Sequence, residues 1–147
     1  MIWKLALILF AIVGISHLIF GIVYVTANEF MPYHAQALNV DWNSLNENYK
    51  TLFLALIRLA GAGGLVAGLV NLTLVNYLYH RVESRLIWLL IVPSLIFQFV
   101  TNYAVYHVSR NTPGDPPLLM VSTGSVIFII ATLFLFAGMR KAMGSGL

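Results

Sequence analysis

Apolar residues in this chain gather into four long, nearly unbroken stretches: Ile2 to Thr26, Thr51 to Tyr79, Leu86 to Val108 and Leu118 to Met139. A bilayer core of about 30 Å needs roughly 20 apolar residues at 1.5 Å rise each, so every stretch is long enough to cross as a helix. None shows the short dyad alternation of a barrel strand. The pattern predicts an all-α fold, an integral membrane four-helix bundle with a long loop between the first and second helices. His80 to Ser84 is short enough to make an antiparallel hairpin of the second and third helices. Ser109 to Pro117 reads as a Pro/Gly turn, with Pro116 and Pro117 suited to the first turn of the fourth helix. In the long loop, Ala27 to Lys50, Pro32 can open a short helix through Leu38. Ser44 and Glu47 read as a capping box, which starts the second helix near Leu45 and runs it toward His80, about 50 Å in all. Trp42 and Tyr49 then fall at the membrane interface as aromatic anchors. Pro93 frees the Leu89 carbonyl and predicts a bend in the third helix.

Composition sharpens this. Of 147 residues, 60% are hydrophobic and 9% charged, against about 25% charged in soluble domains. The mean hydropathy is +0.87. One domain is expected over residues 1–143, with Gly144 to Leu147 read as a frayed end or a cloning linker. The first stretch exceeds the roughly 7–15 apolar residues of a secretory signal, so it is read as a retained helix. With the N-terminus in the cytoplasm, Lys4, Arg81, Arg85, Arg140 and Lys141 lie inside, and Lys50 and Arg110 outside. The positive-inside rule therefore favours both termini inside. These helix-end residues also account for the net charge of +3. No basic stripe with interleaved aromatics is present, so no nucleic-acid partner is expected. The absence of cysteine excludes disulfides and thiolate sites.

Polar residues inside the apolar stretches are the informative exceptions, because each is costly in lipid. His17 falls in the outer third of the first stretch and Arg58 about two turns into the second. Ser94, Gln98 and Asn102 recur every four residues and form one stripe on the third. Ser122, Thr123 and Ser125 open the fourth, while Asn71 and Asn76 lie toward the inner side. Gly14, His17 and Gly21 share one helical face. Arg58, Gly61, Gly64, Gly68 and Asn71 share another, and Gly64-x-x-x-Gly68 permits close backbone approach. His17, Arg58, Gln98 and Asn102 are thus placed at similar depth, around a polar pocket lidded by the long loop. Two readings stay open: Arg58 anchors an anionic or carbonyl-bearing ligand, or it turns outward while the remaining groups bond between helices. No haem is expected, since only His17 is deep. His34 and His107 lack any metal-ligand spacing, and no cofactor or metal is assigned.

The string Phe30-Met31-Pro32-Tyr33-His34, followed by Trp42 and by Arg58-Leu59-Ala60-Gly61, resembles small bacterial inner-membrane proteins. The general plan, an arginine early in a glycine-rich helix of a four-helix chain, is similar to DoxX-like proteins. The resemblance spans the loop and the first half of the second stretch, and implies a bacterial inner-membrane bundle without a particular activity. The expected function is non-enzymatic binding of a lipid-like or quinone-like ligand. Arg58 would anchor it, His17, Gln98 and Asn102 would orient it, and Trp42 and Tyr49 would close the lid. Two alternatives stand beside this. One is a homo-oligomer or an accessory subunit of a larger membrane complex, packing through Gly14, Gly21, Gly61, Gly64 and Gly68. The other is a small membrane enzyme acting on lipid through His17 or a loop carboxylate.

Overall fold

The computed structural model describes residues 2–144, with side chains through residue 139. The chain forms α1 (Ile2–Val25), α2 (Pro32–Leu38), a 3-10 turn at Trp42–Ser44, α3 (Glu47–His80), α4 (Ser84–Asn111) and α5 (Leu118–Gly144). Four helices are long and apolar enough to cross a membrane: α1, α3, α4 and the Leu118–Met139 part of α5. Gly144, expected in a tail, closes α5, and residues 145–147 lie outside the described residues.

Local chemistry sets the helix ends. Pro32 opens α2, where its missing N–H is no loss. Asn39 ends α2 at φ 52°, a left-handed conformation that asparagine tolerates. The expected capping box does not form. Ser44 instead donates its Oγ–H to the Asp41 carbonyl at 2.7 Å, and Asn46 caps α3 by accepting the Tyr49 amide at 3.1 Å. The reason is Leu45, whose extended backbone lets its side chain pack on the small cluster of Ala27, Phe30 and Ile57. The α3 helix therefore begins two residues later than the sequence suggests. The α4 helix continues through Pro93.

Successive long helices are antiparallel. The start of α1, the end of α5 and the α3–α4 hairpin share one end, the terminal end; α2 and the α4–α5 turn share the other, the α2 end. The α1 helix packs against α3 and α5, as does α4, which leaves α1 and α4 diagonal. Aromatic residues hold basic ones at both ends. Lys4 sits 4.7 Å from the Tyr79 ring centroid at the terminal end, and Arg110 5.4 Å from that of Tyr106 at the other. Large apolar side chains such as Leu59, Phe99 and Leu119 face outward, a surface suited to lipid rather than water.

Packing differs between the two halves. Toward the terminal end, Ala6, Leu7, Phe10, Leu78, Ile87, Leu90, Phe128 and Leu135 form a continuous core. There Phe10 meets Phe128 edge to face, and Trp3 donates to the Leu78 carbonyl. Along α1–α3 the backbones themselves touch. A Cβ on Gly21 would lie 2.6 Å from the Leu65 amide nitrogen, and one on Gly61 2.7 Å from that of Val25. Gly14, Gly64 and Gly68 are equally confined by the opposite helix.

One buried polar bond joins α3 to α4: Asn71 Nδ2 donates to Ser94 Oγ at 3.0 Å. Asn71 Oδ1 has no partner among the described residues. We expect Ser94→Ala to cost about 1–2 kcal/mol, more than the roughly 0.6 kcal/mol average for interhelical bonds in lipid, because it leaves the whole amide stranded. Denaturant titration in micelles should find most of the loss recovered in Ser94→Ala/Asn71→Leu.

Candidate functional site

Toward the α2 end α4 stands away from the close-packed α1–α3 pair. On α1, His17, Phe20 and Tyr24 follow one another at helical spacing. On α4, Phe97, Gln98 and Thr101 do the same, and these two sets face across the diagonal. Phe20 stacks on Tyr24 (centroids 4.1 Å apart), Phe97 meets Phe20 edge-on, and the His17 ring lies 4.6 Å from Phe97. This aromatic wall divides two crevices. One, of about 360 Å³, opens between α3 and α4 beside Ala60, Gly63 and Ala104. The other, of about 440 Å³, lies among α1, α4 and α5; Ser16, Ile19 and Val23 of α1 face Met120, Val121 and Gly124 of α5 across it.

The second crevice holds the polar chemistry. His17 is only 4% exposed, and neither ring nitrogen has a hydrogen-bond partner among the described residues. Gln98, 8% exposed, lines the same space. Its side-chain amide packs so closely over α5 that a Cβ on Gly124 would lie 3.3 Å from Nε2. A buried polar group without a partner costs about 1–3 kcal/mol, so the imidazole, with both nitrogens buried and unpaired among the described residues, is an unrelieved cost beside this apolar crevice. Asn102 is placed differently. Its Nδ2 donates to the Gln98 backbone carbonyl at 2.7 Å and to Ser125 Oγ at 2.6 Å, tying α4 to α5.

Arg58 does not join His17. The buried face of α3 is Ile57, Gly61, Gly64, Gly68 and Asn71, and Arg58, one residue on from Ile57, is turned about 100° away. It is exposed, and its Nη2 donates to the Ala27 carbonyl just past the end of α1, at 3.3 Å. The α3 residue level with His17 is Gly64, whose Cβ would lie 3.1 Å from the His17 carbonyl. That is six residues, about 9 Å, from Arg58. The guanidinium thus completes the carbonyl end of α1, where the helix dipole favours a cation.

The loop covers the α2 end with residues other than those expected. Trp42 packs on Phe30 at 5.0 Å in the loop's own cluster, and Tyr49 is exposed on the first turns of α3. The cover is α2 instead. The Tyr33 and Tyr24 hydroxyls are hydrogen-bonded, Gln36 Oε1 accepts the Asp115 amide at 3.1 Å, and Tyr33, His34 and Pro116 line the α3–α4 crevice. Phe20, Tyr24, Tyr33, Phe97, Thr101 and Gly124 are contributors that the sequence reading missed. Phe20 stands three residues after His17, and Tyr24 three after Gly21 and four after Phe20, and that helical spacing was the available signal.

His34 helps hold this cover. Its Nδ1 accepts the Met31 amide at 3.2 Å, a bond that needs the neutral ring, and burial pushes the imidazole below its ordinary range. The unfolded histidine titrates near 6.5. Its contribution is therefore complete above about pH 6.5 and declines as the pH falls below that, because the unfolded segment then takes up the proton first. Amide exchange across residues 31–38 should accelerate at pH 5.5 relative to 7.5, beyond the intrinsic rate change. His34→Ala should remove that pH dependence, and pH-independent protection in the unmodified protein would contradict it.

His34 and His107 are engaged separately: His107 lies beside Asn111 and stacks on Tyr103. Among the described residues no three His, Asp or Glu side chains assemble into a metal-binding group. Comparison with protein-family models, curated proteins and solved structures gives no match to this chain.

Proposed function

We propose that this is a membrane protein that binds a lipid-like or quinone-like molecule in the α1–α4–α5 crevice, with His17 and Gln98 as its polar contacts. The observation that carries this reading is the buried His17 ring, both nitrogens unpartnered among the described residues, beside Gln98 at the wall of a crevice of about 440 Å³. That volume lies in the usual range of ligand pockets, about 300–1,000 Å³. Binding is favoured over catalysis because the lining holds no carboxylate or lysine to exchange a proton with His17. The packing-subunit alternative is weakened, since all five glycines it relied on are occupied by the α1–α3 seam. The distribution of Lys and Arg supports placing the terminal end in the cytoplasm, with the crevice in the outer half of the bilayer. A bacterial inner membrane is the setting that the DoxX-like resemblance suggests.

Native mass spectrometry of the detergent-extracted protein tests the reading. It should carry a defined lipophilic adduct that Gln98→Leu much reduces and Arg58→Ala retains, the latter costing less than about 1 kcal/mol as the loss of one exposed cap. A bare chain, or an adduct lost only in Arg58→Ala, would overturn it.

A further inference from the structure

The chemical class of the occupant can be narrowed, on the assumption that the crevice binds a lipophile at all. We infer that it takes an uncharged lipophile whose hydrogen-bonding oxygen is carried on a flat ring, admitted sideways from the bilayer between α1 and α5.

Depth argues for neutrality. His17 lies eight residues from Val25, the end of α1, or about 12 Å along the helix, and so well inside the hydrocarbon region. A phospholipid keeps its charged head at the interface, and bringing that charge down to His17 would require a compensating partner. The lining holds no carboxylate, lysine or arginine (an imidazole and a carboxamide are its polar floor), and the nearest arginine along α3, Arg58, donates to the Ala27 carbonyl. A neutral imidazole offers one donor and one acceptor, and the Gln98 amide offers both kinds. A ring carbonyl or hydroxyl satisfies such a pair without charge.

The walls argue for a ring. Phe20, Tyr24 and Phe97 present aromatic surface along one side of the space that His17 and Gln98 floor. Offset or edge contacts with such surface favour a planar guest over an acyl chain.

The route follows from which residues flank the gap. Ile19 and Val23 are half exposed on α1, and Met120 is exposed on α5. The crevice between them therefore opens toward lipid, and above it a further space of about 430 Å³ continues beneath α2 and the α4–α5 turn, sharing Phe20, Tyr24, Thr101, Met120 and Val121 with it. A guest already dissolved in the bilayer needs no passage through the α2 cover.

The test is equilibrium binding of decyl-benzoquinone to the delipidated full-length protein in detergent, with dioctanoylglycerol and phosphatidylglycerol as competitors. One quinone should bind per chain. His17→Leu and Gln98→Leu should each weaken it about tenfold, the effect of stranding one polar partner. The glycerides should compete poorly, and quinone binding should survive removal of the α2 cover contact in Tyr33→Phe. Tight, His17-dependent binding of dioctanoylglycerol would overturn the ring assignment, and of phosphatidylglycerol the neutrality, each leaving the crevice reading intact. If none of the three probes binds in a His17-dependent manner, the crevice reading falls as well.

Discussion

Gly61→Leu will destroy the folded bundle, whereas Gly63→Ala, two residues along the same helix, will leave it intact or slightly stabilised. The difference lies in what each position faces. A Cβ on Gly61 meets the Val25 amide nitrogen at 2.7 Å and the Gly21 carbonyl at 2.9 Å, both backbone atoms of α1 that cannot rotate away. Accommodating leucine means separating α1 from α3 along the tightest seam of the molecule. Overpacking of even adjustable cores costs about 1–3 kcal/mol, and a rigid backbone seam should cost about 3 kcal/mol or more. Gly63 faces the α3–α4 crevice, where the nearest atom to its Cβ is Phe97 Cε2 at 3.9 Å. Alanine there meets ordinary van der Waals contact and gains up to about 1 kcal/mol of helix propensity. Thermal unfolding followed by helical circular dichroism, with gel filtration for monodispersity, separates the outcomes. A well-folded Gly61→Leu protein would mean that α1 and α3 are not in backbone contact.

His17→Leu will make the ligand-free protein more stable while weakening its hold on the ligand about tenfold. An imidazole 4% exposed, with both nitrogens unpaired among the described residues, costs the empty protein about 1–3 kcal/mol. Leucine can pack against the same Phe97 ring without that penalty. A residue kept for packing alone would behave oppositely, losing stability when its ring is removed. Melting of delipidated samples should rise in the variant, and the adduct seen in the unmodified protein should be much reduced. A variant that melts lower and still retains the adduct would remove His17 from the site.

Much of this architecture is legible in the residue pattern. Four stretches long enough to span lipid, the short helix opened by Pro32 and the helix-facing glycines all follow from local chemistry and periodicity. What the pattern could not resolve is rotation and relative depth. Arg58 and Ile57 are neighbours in sequence, and only packing against α1 decides that Ile57 turns inward and Arg58 outward. Depth counted from helix ends put Arg58 beside His17, but the α1–α3 seam sets Gly64 there instead. Asn46 rather than Ser44 caps α3 because Leu45 is drawn into a tertiary cluster that no local motif encodes. The aromatic wall escaped notice for a related reason. Phe20, Tyr24 and Phe97 look like ordinary lipid-facing residues until α4 is seen to pack diagonally across from α1.

A ligand in the crevice must bond to the His17 ring. That bond is tested most directly by the 15N spectrum of histidine-labelled protein, recorded once with its co-purified lipids and once after stripping, with His17 assigned by its absence in His17→Leu. The His17 ring nitrogens should shift between the two samples while those of His80 and His107 stay in place. Identical His17 signals in both would show that nothing bonds to the ring, and the proposed site would be contradicted.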